Sequence, residues 1–142
     1  MTDLESIADE VAKSLAPVLE TEALVRLAYL YGSALYLLGP EDVDIAVWAP
    51  DTTGMSPSDR ERWLGDLGRR LERCLAPRRD LDLRLLNGAS VQFQYAVVRT
   101  GRLLLARSEV ERVRFEAAAA SLALDLSIGL RAYDRAMLAA IP

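Results

Sequence analysis

Apolar residues fall at helical spacing from the start of the chain, at Leu4, Ile7, Val11 and Leu15, and Pro17 marks where that helix should stop. The stretch ALVRLAYLYG (residues 23–32) predicts a strand ended by glycine, and DVDIAVW, from Asp42 to Trp48, predicts a second one. APDTTGMSPS reads as a loop whose Ser56 caps a helix, with Pro57 at the first helical position and Asp59 in the first turn. That helix gathers Trp63, Leu64, Leu67, Leu71, Cys74 and Leu75 on one stripe, which assigns Cys74 to the core. DLDLRL alternates strictly from Asp80, GASVQFQYAVVRTG holds a short helix closed by Gly101, and RLLLA is a short strand. From Glu109 the pattern is helical almost to the end. The order of elements predicts an α+β fold, one mixed sheet with helices against it.

Alternation with period two sorts the strand residues onto faces. Val43, Ile45 and Val47 point one way and Asp42 and Asp44 the other. Likewise Leu81, Leu83 and Leu85 oppose Asp80, Asp82 and Arg84. If both aliphatic faces meet the helices, Asp42, Asp44 and Asp82 converge on the open face. Carboxylates so crowded raise one another's pKa and need protons or a cation. Alternating aspartates also occur as a merely solvated face, with Arg84 pairing Asp82. Two further features favour a site: the third aspartate on a later strand, and the Gly32-Ser33 turn just upstream. A turn glycine lets backbone N–H groups approach phosphate oxygens, and Ser33 adds a hydroxyl donor.

Composition narrows the chemistry. The 142 residues suit one domain (1–142, with a core at about 20–107 and a C-terminal helix at about 109–141). There is no histidine and one cysteine, which excludes His-based triads and His or Cys zinc sites. Any metal must be a hard one on carboxylate oxygens, Mg²⁺ or Mn²⁺. A net charge of −4 argues against direct nucleic-acid binding. No apolar run is long enough for a membrane, and the acidic, amphipathic start is unlike a signal peptide, so a cytoplasmic location is expected.

The Gly-Ser turn, DVDIAV, LDLRLLNGAS and VVRTGRLLLARSEVERVRFE together resemble the polymerase-β-like nucleotidyltransferase superfamily. More narrowly, residues 23–115 are similar to the minimal nucleotidyltransferase (MNT) antitoxins that are paired with HEPN-domain toxins. The resemblance implies a palm-like core, ATP as substrate, and transfer of AMP to a tyrosine of the HEPN toxin by two-metal in-line displacement. It further implies that Asp42 and Asp44 ligate both metals, that Asp82 holds the catalytic one and helps activate the acceptor hydroxyl, and that Gly32 and Ser33 hold the β- and γ-phosphates. The chain departs from the pattern after Ser33. The family usually has about ten residues there, often starting with a basic run, whereas ALYLLGPE is eight residues long and has no basic one. Arg26, Arg78, Arg79 or Arg84 are candidates to replace the missing cation.

Two other functions fit the same fold: an antitoxin with a vestigial site that works by binding, and a nucleotidyltransferase acting on a small molecule. The second usually needs an additional acceptor-binding domain or an acidic dimer cleft. The helix from 109 to 141 would extend ~50 Å at 1.5 Å per residue. Leu122, Leu126, Leu130, Tyr133, Met137 and Ile141 form one stripe, and Gly129 is a natural place to bend. The distal face is expected either to wrap its own domain or to meet a partner, the toxin or a second copy in a homodimer.

Overall fold

The computed structural model describes the backbone of residues 4–32 and 42–139 and the side chains of 7–32 and 42–127. Helix α1 (Leu4–Thr21) leads into strands β1 (Leu27–Tyr31) and β2 (Asp42–Trp48). A 3₁₀ turn at Pro50–Gly54 precedes α2 (Pro57–Arg73), and β3 (Asp80–Leu85), α3 (Val91–Thr100), β4 (Arg102–Ala106) and α4 (Glu109–Ala139) follow. The strands form one sheet in the order β3-β2-β1-β4. β1 is antiparallel to both β2 and β4, and β2 is parallel to β3, so the sheet is mixed as predicted.

One face of the sheet carries Ala28, Leu30, Val43, Ile45 and Val47, packed on Val11, Leu15 and Leu19 of α1 and on Leu67 and Leu71 of α2. Leu81, Leu83 and Leu85 complete it from the edge strand, and Cys74 packs against it half-buried, as the stripe implied. The opposite face is not wholly open. Leu27, Tyr29 and Ala46 are buried there with Leu86 and Val97, against Phe93 of α3 and Phe115 of α4. The end of the sheet holding the aspartates is left uncovered by this second cluster.

Two local expectations need correction. Pro17 does not stop α1, which continues to Thr21. Proline removes the N–H that would reach the carbonyl of Lys13, but both residues lie on the exposed side of the helix, where water can serve that carbonyl. Burying Leu19 on the same helix favours the extra turn. The carbonyls at its end are taken up by Arg107, whose Nη2 donates to Leu19 (2.7 Å), Glu20 (2.9 Å) and Glu22 (3.1 Å). Strand β1 consequently starts later than predicted. Separately, α4 is continuous helix through Gly129. The side chains of Leu130, Tyr133, Met137 and Ile141 lie outside the described residues.

The Ser56 cap is as expected, and Ser90 supplies a second one. Ser56 Oγ accepts the Asp59 N–H at 3.1 Å and starts α2, and Ser90 Oγ accepts the Phe93 N–H at 3.1 Å and starts α3. No helix among the described residues is long and apolar enough to cross a membrane.

Candidate functional site

Because β2 and β3 are parallel and in register, Asp44 lies directly beside Asp82, and Asp42 beside Asp80. On the other side, Tyr31 of β1 is the neighbour of Asp44. The alternation that buries Val43 and Ile45 thus sets Asp42, Asp44 and Asp82 on one face at one end of the sheet, as predicted. Asp80 joins them, an extension that the shared period of β3 made readable.

Gly32 ends β1 with φ +79°, a backbone conformation suited to glycine. A Cβ there would collide with Asp44 Oδ2, so Gly32 lies directly against the carboxylate. Ser33 and the segment ALYLLGPE lie outside the described residues.

Electrostatics register the crowding. Partial burial pushes the Asp44 carboxyl above its ordinary range, the charges of Asp82 and Asp42 push the same way, and the Arg84 guanidinium opposes them. The Arg84 Nε donates to Asp82 Oδ2 at 3.1 Å, and its guanidinium lies 5.7 Å from the centre of the Phe93 ring. Phe93 in turn meets Tyr31 edge-on at 5.4 Å, which gives the site an aromatic wall. Burial raises the Tyr31 hydroxyl to about 12, so it stays protonated beside the aspartates. Phe93 was not foreseen, since an aromatic on an amphipathic helix carries no signal of its own.

Of the four arginines considered as replacements for the missing cation, Arg84 is in the site. Arg26 is not: it sits before the other end of β1, where its Nε donates to Glu111 Oε1 at 2.9 Å. Arg78 and Arg79 belong to the loop leading into β3. The Leu-Asn pair after β3 has a structural task. Leu86 is fully buried, and Asn87 Oδ1 accepts the Ala49 N–H (3.0 Å) while its Nδ2 donates to Thr52 Oγ1 (3.2 Å), tying β3 to the exit of β2.

The donor set suits a hard divalent cation: carboxylate oxygens from two adjacent strands, their repulsion felt at Asp44, beneath a glycine cradle. Among the described residues, however, no group of three acidic side chains is already drawn together closely enough to hold one. Asp82 is turned to Arg84 instead.

The model of the polymerase beta nucleotidyltransferase family matches residues 13–110, and the chain belongs to that family. Among solved structures it is similar to a chain of a toxin–antitoxin complex with AMP-PNP, at 25% identity and a TM-score of 0.66, over 89% of this chain and 98% of that one. It is also similar to a chain of the complex of tri-AMPylated Shewanella oneidensis HEPN toxin with MNT antitoxin (26% identity, TM-score 0.61, 96% and 99% covered). A third is the toxin–antitoxin MntA-HepT (24%, 0.64, 92% and 98%). No curated protein sequence matches. Within the family, the fold is that of the MNT antitoxins.

Proposed function

We propose that this protein is the antitoxin of a HEPN toxin and silences it by transferring AMP from ATP to a hydroxyl of the toxin, a tyrosine, in the cytoplasm. The observation that carries the reading is the register pair Asp44–Asp82 beneath Gly32. Two strands and a turn there combine carboxylates with a backbone able to approach phosphate. In the reaction the acceptor oxygen bonds to the α-phosphorus, the bond to the bridging oxygen breaks, and pyrophosphate leaves. Asp42, Asp44 and Asp82 would hold Mg²⁺ or Mn²⁺, which when bound supplies charge neutralisation at the α-phosphate and lowers the pKa of the acceptor hydroxyl. Asp82 would help take up the hydroxyl proton. Gly32 and Ser33 would carry the β- and γ-phosphates by hydrogen bonds. The whole chain, 1–142, would act as a single nucleotidyltransferase domain.

The MNT antitoxin, AMP-PNP and AMPylated-toxin complexes among the similar structures support this reading over transfer to a small molecule. A second reading, neutralisation by binding alone, is favoured by one observation: ALYLLGPE brings no basic residue to the triphosphate. Mass spectrometry of a cognate toxin incubated with the protein, ATP and Mg²⁺ separates the two. The proposal expects AMP on a toxin tyrosine, lost with Asp42→Ala/Asp44→Ala. Neutralisation without any adduct would establish the binding-only reading.

A further inference from the structure

We propose that Arg84 is a two-position residue: it holds Asp82 in the nucleotide-free protein and moves to the triphosphate when the nucleotide binds. The inference rests on the nucleotidyltransferase reading and assigns a positioning role that the aspartates alone do not supply.

The geometry begins with β3. Residues two apart on a strand share a face, so Arg84 reaches back along its own strand to Asp82, Nε to Oδ2 at 3.1 Å. The pair is open to water, with about 60% of the Arg84 side chain and 52% of the Asp82 side chain exposed. An exposed ion pair of this kind contributes little and exchanges readily. The other side of the guanidinium lies over Phe93, whose ring is fixed by Tyr31. A flat cation resting on a ring can turn its N–H groups to another anion without giving up that contact.

Two consequences follow for the site. While Arg84 holds Asp82 Oδ2, the third carboxylate is engaged by a competing cation, and no ready trio is found among the described residues. When the triphosphate arrives it brings several negative charges to a loop with no basic residue between Ser33 and Asp42. Arg84 is then the cation on the same sheet face, and a phosphate with its fork of donors is the stronger partner. Transfer of the guanidinium frees Asp82 at the moment when the nucleotide needs it. The same side chain therefore opposes premature metal loading in one position and supports nucleotide binding in the other.

The test uses the full chain, wild type and the variants Arg84→Ala and Arg84→Lys. Calorimetric titrations are made with Mn²⁺ alone and with Mn²⁺ plus an ATP analogue bearing a methylene between the α- and β-phosphorus, which cannot transfer AMP. Arg84→Ala should bind Mn²⁺ alone about two- to fivefold more tightly, the range for losing one exposed competing charge. It should bind the analogue about tenfold more weakly, from the loss of a charged hydrogen bond. Arg84→Lys should lie between. A merely structural role would move both affinities the same way, and that result, or no change in either, overturns the inference. If the wild type labels its toxin and binds the analogue but the variants fail to split, only Arg84's role falls. If the wild type binds neither ligand, the catalytic reading falls with it.

Discussion

Gly32 and Asp44 are packed so closely that a single added carbon at Gly32 would overlap Asp44 Oδ2. With φ at +79° the position is also strained for any other residue. Gly32→Ala should therefore cost about 1–3 kcal/mol, as residues held in sparsely populated backbone regions do. Urea unfolding measures the loss. The same variant should abolish the gain in melting temperature from Mg²⁺ with ATP, because Asp44 must move aside.

Asp44→Asn should separate stability from function. The Asp44 carboxyl is raised by burial and by Asp82 and Asp42, so folding favours its protonated form. Its contribution is thus complete at pH values below the unfolded carboxylate range and is lost as pH rises through the higher folded-state value. Near neutral pH the nucleotide-free Asp44→Asn protein should melt above wild type. In acid the difference should vanish. Melting curves across pH, with and without Mg²⁺ and ATP, check both the sign and the expected loss of the ligand-induced gain.

Tyr29 gives an alkaline counterpart. It is buried, and its hydroxyl donates to Glu116 Oε1 at 2.9 Å. Burial, then the Glu116 hydrogen bond, raises its pKa well above the ordinary value. Stability from this group is full below the unfolded pKa of about 10 and declines as pH climbs toward the folded value. Tyr29→Phe should cost about 0.5–1.5 kcal/mol near neutrality, the usual worth of one hydrogen bond. It should also flatten the alkaline fall seen in urea titrations of wild type.

Arg107 is expected to be among the most sensitive polar positions. Its side chain donates to the carbonyls of Leu19, Glu20, Glu22 and Val25, joining the end of α1 to the strand that follows it and to β4. Arg107→Ala should cost about 2–3 kcal/mol, at the upper end for hydrogen bonds made by a charged group. Arg107→Lys, lacking the fork, should recover only part. Chemical denaturation again decides, and the toxin-labelling rate per folded molecule should be unchanged.

On α4, Leu122 and Leu124 are 50% and 59% exposed. Leu122→Ala/Leu124→Ala should shift stability by no more than about 0.5 kcal/mol per residue, as surface substitutions do. If either of these exposed side chains meets the toxin or a second copy, association should weaken in a pull-down or on a sizing column. Unchanged association would remove these two leucines from the interface.

Much of this was legible because strands enforce a period of two. Asp80–Leu85 and Arg102–Ala106 were readable to the residue, and the capping Ser56 fixed where α2 begins. Pairing was less legible. Alternation places Asp82 on a face, but only hydrogen bonding between β2 and β3 brings it beside Asp44 rather than a residue away. Pro17 misled because local preference is small against tertiary burial, and it lies where water can replace its lost bond. The hold of Arg84 on Asp82 was visible as an alternative to a metal, though its support by Phe93 required a helix to cross the sheet.

The parallel pairing of β2 and β3 has a consequence for how the site comes into being. A parallel neighbour cannot be reached by a tight turn, so residues 49–79, with all of α2, form the crossover that sets Asp82 beside Asp44. The carboxylate pair is therefore a late, long-range product of folding, and mutual repulsion works against its closing step. Among the described residues β3 is also an edge strand, hydrogen-bonded to one strand alone. Detachment of that edge would dissolve the reaction centre while β1, β2 and β4 remained a sheet, so catalytic competence should be lost at lower denaturant than the fold itself.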